Sequence, residues 1–185
     1  MSRTHLAVRV ELVSGRGEDF WPRAGRVLLA ARGTTFDALA EAVDTAFGRW
    51  DRAHLHLFTL ADGTLLTGPG DAWEDEPQDR PTARSDRTRL SRLALGEQFA
   101  YTFDLGDDWT HLCTVEPGRV DPLEAYGQVP DRPVPIWGWG TLPDQYGRRF
   151  DGDTDDSDPL PPPPRRFGAD LPPLLPEWSP RPRGR

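Results

Sequence analysis

Residues 101–116 read YTFDLGDDWTHLCTVE, and this stretch predicts a hairpin of two strands with one shared buried face. Large apolar or aromatic side chains recur at every second position on both sides of the central GDD, which is the spacing of a half-buried strand. A loop of three residues, Gly106–Asp108, keeps this set on one face, whereas a loop of two residues would scatter it over both faces. The cross-strand pairs predicted by the three-residue loop are Leu105 with Trp109, Phe103 with His111, and Tyr101 with Cys113.

The same stretch holds four residues of the types that ligate metals, Asp104, Asp107, Asp108 and His111. In the predicted register Asp104 points away from His111, and the other two acids belong to the turn, where Asp bonds locally to the backbone. We therefore predict structural roles, with a neutral His111 packed on the buried face. The four residues remain weak metal candidates, and no catalytic residue and no cofactor are predicted.

Working outward, three further segments have clear periodicity. LAVRVELV (6–13) and RVLLAA (26–31) predict a strand hairpin, and HLHLFTLADGTLL (54–66) predicts a second hairpin around Asp-Gly. Between them, apolar residues from Phe36 to Phe47 follow one helical stripe, with Thr34 or Thr35 as its cap and Gly48 at its end. We predict an α+β fold: a twisted, mainly antiparallel sheet with one principal helix packed across a face, a β-grasp-like first half and a C-terminal hairpin.

Two further segments give little indication of a catalytic or metal-binding site. His54 and His56 have the spacing of a metal-binding pair on a strand, but no third ligand lies nearby in sequence. We therefore expect two partly buried histidines at a sheet edge. Residues 68–89 lack periodicity and predict a mobile connection across the surface.

Length and composition indicate one domain with a tail. The 185 residues divide into a predicted domain at 1–150 and a tail at 151–185, which is acidic and then Pro-rich and is expected to be mostly disordered. The formal charge is -8, from 30 acids and 22 bases, which argues against generic nucleic-acid binding. A local basic surface remains an alternative for nucleic acid, built from Arg3, Arg9, Arg16, Arg23, Arg26 and Arg32.

The chain has a single cysteine, Cys113, and its charged N-terminal residues lack the apolar run of a signal peptide. No stretch of about 18 apolar residues is present either. The sequence therefore predicts a cytoplasmic protein with no membrane partner.

Residues 134–150, VPIWGWGTLPDQYGRRF, place flat aromatic side chains among glycines. Such a segment is able to stack a base, a sugar or a proline-rich peptide, and the alternative is that its aromatics lock it onto the sheet. Together with two residues of the hairpin it forms the candidate ligand cleft. The predicted cleft residues are Trp109, His111, Trp137, Trp139, Asp144, Tyr146 and Arg148.

The phrase YTFDLGDDWTH (101–111) resembles the Y-x-Y-D-F-G-D-D-W-x-H signature of the family named for open reading frame 3 of plasmid pRiA4b. AFGRW (46–50) and HLHLF (54–58) fit the same family, and the resemblance extends over most of 3–150. It implies an association with plasmids and insertion elements, where members are described as resolvase-like passengers, but it implies no assigned chemistry. Many members carry a Pro-Pro-Glu-Asp-x-Gly-Gly stretch that residues 134–150 lack, so no role transfers from that motif.

Two functions stay open from the sequence. The first is an uncharacterised, non-enzymatic binding or accessory module, with an unknown protein or small ligand as its partner. The alternative is a metal-dependent hydrolase or nuclease that uses the Asp and His residues of the hairpin.

Overall fold

The computed structural model describes residues 5–69 and 79–147, and their strands form one sheet of nine strands with one main helix. The helices are α1 (Phe36–Ala46) and the short α2 (Pro122–Tyr126), and a 3-10 turn spans Leu90–Arg92. The strands are β1 (His5–Gly15), β2 (Glu18–Asp19), β3 (Gly25–Ala31), β4 (His56–Thr59), β5 (Leu65–Thr67), β6 (Thr82–Arg84), β7 (Gln98–Phe103), β8 (Trp109–Val120) and β9 (Val134–Trp139).

The sheet order is β6-β5-β4-β7-β8-β1-β3-β9, with β2 paired to β1. Within the described residues every strand pairing is antiparallel except β5 with β6. The predicted α+β fold, with a mainly antiparallel sheet and one principal helix, is confirmed. The two hairpins of the first half do not adjoin, because β7 and β8 lie between them.

Helix α1 follows the predicted stripe, and its apolar residues pack on the sheet face that carries the core. Thr35 is the cap and accepts the Ala38 N–H at 3.3 Å. At the other end Gly48 has φ 71°, and the Arg49 N–H donates to the Asp44 carbonyl at 2.8 Å. This left-handed ending reverses the chain, and the Arg49 side chain is buried immediately after it.

The β7–β8 hairpin differs from the prediction in register. Phe103 pairs with Trp109 and Tyr101 pairs with His111, so the predicted register is wrong by two residues. The turn is longer than predicted because Asp104 and Asp108 both adopt left-handed conformations and stay outside the ladder, with φ 57° and 54°. A shift of two residues preserves the faces of a strand. The predicted burial of Tyr101, Phe103, Trp109 and Val115 is therefore confirmed.

Residues 79–89 are part of the fold, where a mobile connection was predicted over 68–89. Strand β6 pairs with β5, and the carbonyls of Ser85 and Thr88 accept the backbone N–H groups of Asp37 and Phe36 at 3.1 and 3.0 Å. These bonds fasten the segment to the start of α1, so the prediction is wrong for this part. Residues 70–78, like the predicted tail at 151–185, lie outside the described residues.

No helix within 5–69 and 79–147 is both long enough and apolar enough to cross a membrane.

Candidate functional site

Three segments that are distant in sequence meet on the helix side of the sheet. They are the loop after α1, the β7–β8 turn and the segment 144–147 after β9. Gln145 joins the first to the last: its Oε1 accepts the N–H groups of Trp50 and Asp51 at 3.0 and 3.1 Å, and its Nε2 donates to the Asp51 carbonyl at 2.7 Å. Because Gln145 is buried, these three bonds hold the two segments together.

His54 lies at the centre of this junction. Its Nδ1 is 3.2 Å from Asp104 Oδ2, and its Nε2 is 3.1 Å from the hydroxyl of Tyr146. That hydroxyl donates to Asp51 Oδ2 at 2.7 Å, and this bond holds the pKa of Asp51 below its usual range. The Tyr146 hydroxyl thereby links His54 to Asp51.

Arg49 lies beside this network and is buried, with only 2% of its surface exposed. Its guanidinium carbon is 3.9 Å from the centroid of the Trp109 ring. Nε, Nη1 and Nη2 are all buried, and within the described parts of the chain none has a hydrogen-bond partner. Burial lowers the pKa of Arg49 to about 10, so the group keeps its charge at neutral pH.

Arg26 provides a direct comparison, because its side chain is also buried. Its Nε donates to the Ala46 carbonyl at 3.3 Å, and its Nη1 donates to the carbonyls of Gly25 and Trp139 at 2.6 and 2.7 Å. Backbone carbonyls therefore accept the hydrogen bonds of the buried Arg26 guanidinium. The buried Arg49 guanidinium instead lies over an aromatic ring.

His111 and Trp109 adjoin Arg49 on the same face. His111 is fully buried, its Nδ1 lies 3.2 Å from the Tyr101 carbonyl, and its ring meets Phe47 edge-on at 4.7 Å. Burial and the nearby Arg49 charge lower the pKa of His111 to about 3, so the ring is neutral, as predicted. His111 Nε2 and Trp109 Nε1 are buried without a hydrogen-bond partner among residues 5–69 and 79–147.

A buried acid completes this layer. The Tyr101 hydroxyl donates to Asp44 Oδ1 at 2.7 Å. Burial raises the pKa of Asp44 to about 7, against the hydrogen bond from Tyr101 and the attraction of Arg49. Burial also raises the pKa of Tyr101 well above its usual value.

The acids of the β7–β8 turn have separate local partners. Asp107 pairs with Arg16 at 2.9 Å, and Asp108 Oδ1 accepts the Thr110 hydroxyl at 3.1 Å. Asp104 Oδ1 accepts the N–H groups of Gly106 and Asp107 at 3.0 and 3.3 Å, and its other oxygen faces His54 rather than His111. In the portion of the chain that the structure describes, no three His, Cys, Asp or Glu side chains are arranged to hold a metal ion.

The aromatic residues of the predicted cleft lie on two faces of the sheet. Trp139 pairs with Gly25 and Trp137 with Val27, on either side of Arg26, which points to α1. Because cross-strand partners share a face, both tryptophans lie on the face opposite α1. The Trp139 indole donates to the Arg23 carbonyl at 2.9 Å.

The other predicted cleft residues lie on the helix side. Tyr146 contacts the rings of Trp50 and His54, and Asp144 Oδ2 accepts the Tyr146 N–H at 3.0 Å. The structure thus brings Trp109, His111, Asp144 and Tyr146 to the region of Arg49. Arg148 lies outside the described residues.

Two other predicted groups are placed differently from the expectation. Strand β4 lies between β5 and β7, so the prediction that His54 and His56 lie at a sheet edge is wrong. Of the N-terminal arginines, Arg26 is buried and Arg9 pairs with Glu116 at 3.2 Å. Arg3 lies outside the described residues.

The sequence reasoning did not single out Arg49 or the Asp104–His54–Tyr146–Asp51 network. The available signal for Arg49 was its position directly after Gly48, where a left-handed helix end turns the next side chain inward. The contacts of the network join residues about 50 to 95 positions apart, so no local periodicity indicates it.

Comparison with known proteins agrees with this fold. The crystal structure of MM3350 from Methanosarcina mazei Go1, a protein of unknown function, matches with a TM-score of 0.60 and 19% identity, over 80% of this chain and 76% of that one. At this identity the likeness is one of fold. No curated protein matches the chain. The model of the plasmid pRiA4b ORF-3-like protein family matches residues 6–131, which is more than half of the sequence, and the chain belongs to that family.

Proposed function

We propose that this protein is a non-enzymatic binding module and that its ligand meets the Arg49 site, defined as Arg49, Trp109 and His111 with the adjoining His54 and Tyr146. The proposal is carried by one observation. A charged guanidinium is buried without any hydrogen-bond acceptor from the described residues, on a ring whose own N–H is also unpaired.

A buried donor without a hydrogen-bond partner costs about 1–3 kcal/mol, and more when the group is charged. Buried donors in folded proteins are therefore nearly always bonded. Arg49 and Trp109 carry donors only, so a group rich in acceptor atoms is what complements them. A ligand that brings such a group recovers the penalty on binding, which is the energetic basis of the proposal.

The protonation states favour binding over catalysis. His111 is neutral, and its Nδ1 is held by the Tyr101 carbonyl. Burial raises the pKa of Cys113 well above its usual value, which opposes formation of a thiolate nucleophile.

Native mass spectrometry of the full chain tests this function. The protein is measured as purified and again after incubation with the small-molecule fraction of a cell extract, under native and denaturing conditions. We expect a noncovalent adduct that denaturation releases, and we expect Arg49→Met to lack it. Arg52→Met is the matched control, because Arg52 is exposed and only three residues away, and it should retain the adduct.

The proposal fails if wild type and Arg49→Met give the same native masses both before and after incubation. It also fails if Arg52→Met loses the adduct together with Arg49→Met, because that result would assign the effect to surface charge.

A further inference from the structure

The contact between Arg49 and Trp109 restricts the direction from which a ligand group meets the guanidinium. The guanidinium carbon lies over the Trp109 ring, 3.9 Å from its centroid, so this face of the group is covered by the ring in a cation–π contact. The N–H groups of a guanidinium lie in its own plane. The matching partner is a flat group with two acceptor atoms, bound edge to edge.

The charges around Arg49 restrict the charge of that group. Asp44, Asp144 and Asp104 all lie close enough to stabilise the Arg49 cation, although none forms an ion pair with it in the described structure. These carboxylates repel an incoming anion, and the repulsion grows with its charge. A single negative charge is therefore favoured over the double charge of a phosphate.

We infer that the Arg49 site recognises one carboxylate group, held in the plane of the Arg49 guanidinium against Trp109. This inference rests on the proposed binding function and names the ligand class. The carboxylate belongs either to a small organic acid or to the C-terminus of a peptide, since the chemistry presented to Arg49 is the same.

The side-chain Nε–H signal of Arg49 in nitrogen-15 NMR spectra of the full chain reports on this site directly. The Nε–H signal of Arg26 is an internal reference, because that buried guanidinium already donates to backbone carbonyls. Sodium acetate is the probe, acetamide is its neutral counterpart of the same shape, and sodium chloride at matched ionic strength is the salt control. Inorganic phosphate is titrated separately.

We expect acetate to shift the Arg49 signal saturably, with a midpoint on the order of millimolar, the scale for a ligand of four heavy atoms. The Arg26 signal should not move. Acetamide and chloride should leave both signals in place, and phosphate should act at least about tenfold more weakly than acetate.

Arg49→Lys keeps the charge but loses the planar fork. The Trp109 indole N–H signal replaces the Arg49 signal as the readout in this variant. We expect at least about tenfold weaker binding of acetate, because the paired hydrogen bonds are lost. Arg52→Lys is the control and should bind as wild type does.

N-acetyl-alanyl-alanine with a free C-terminus, compared with its C-terminal amide, distinguishes the two sources of carboxylate. Tighter binding of the free peptide than of acetate, with no response to the amide, assigns a peptide C-terminus. Tighter binding of acetate assigns a small organic acid. Either result supports the inference.

Three results overturn it. Equal responses to acetamide and acetate would assign a neutral acceptor, which removes the carboxylate but leaves the binding function in place. A response that follows ionic strength alone shows an adventitious ion only. If neither acetate nor the peptide shifts the Arg49 Nε–H signal, and native mass spectra show no adduct, both the inference and the proposed function are refuted.

Discussion

Asp44 is the residue through which the core of the molecule responds to pH. Burial raises its pKa to about 7, while the bond from Tyr101 and the charges of Arg49 and Arg52 act in the opposite direction. Between the ordinary value near 4 and this raised value, the folded protein holds a proton that the unfolded chain has released. The contribution of Asp44 to stability is therefore full at low pH and is lost as the pH rises through about 7.

Asp44→Asn removes this titration while keeping an oxygen that accepts the Tyr101 hydroxyl. We expect the free energy of unfolding of Asp44→Asn, relative to wild type, to increase from pH 5 to about pH 7 and to level off above it, measured by urea denaturation. Glu18→Gln, an exposed acid on β2, should show no such trend. Parallel pH profiles for wild type and Asp44→Asn would show that Asp44 is already ionised in the folded protein at pH 5.

At the scale of elements, the β7–β8 hairpin shows that periodicity predicts the buried face of a strand but not its register. The buried face followed from alternation, because strand side chains repeat every two residues. The register depended on the turn, where Asp104 and Asp108 adopt left-handed conformations that Asp tolerates better than most residues. Nothing in the alternation distinguishes a turn of three residues from one of five, since both keep the same faces.

The candidate site was predictable only in part for a related reason. Trp137, Trp139 and Tyr146 were grouped because they are close in sequence. The first two lie on β9, and its register with β3 turns them to the opposite face from α1. Arg49 and His54 became functional candidates only through contacts made across the sheet, which a single sequence does not contain.

The packing of β1 against β8 gives a prediction at this scale. A Cβ on Gly15 would lie 2.2 Å from the Trp109 ring, so Gly15→Ala must displace the ring over which the Arg49 guanidinium lies. We expect a loss of about 1–3 kcal/mol in unfolding free energy and a shifted Trp109 indole signal. Gly118→Ala on the same sheet meets nothing within 4 Å and is the matched control. Wild-type stability in Gly15→Ala would contradict the observed packing.

At the scale of the whole molecule, the sheet order places the signature hairpin in the interior. Strands β7 and β8 lie between the two hairpins of the first half, with α1 across their face, so His111 and Trp109 are interior residues. The turn acids at their end bond to their own backbone, to Arg16, to Thr110 and to His54.

We therefore predict that the protein shows no metal-dependent turnover of phosphodiesters. His111→Ala should act through stability, with a loss of about 1–3 kcal/mol from a lost hydrogen bond and lost packing. Calorimetric titration with zinc, manganese and magnesium checks this. Stoichiometric binding at micromolar strength or better that disappears in both His111→Ala and Asp108→Asn would contradict the non-enzymatic account.

The central claim is that Arg49 is kept buried and unpaired for a ligand, at the expense of the stability of the free protein. The most direct test is the unfolding free energy of the ligand-free Arg49→Met protein in urea at pH 7. Met fills the space against Trp109 without a charge, so the account predicts a stability equal to wild type or higher by up to about 4 kcal/mol. A loss of about 3–5 kcal/mol, the size expected when one member of a buried ion pair is removed, would instead show that Arg49 holds the fold together.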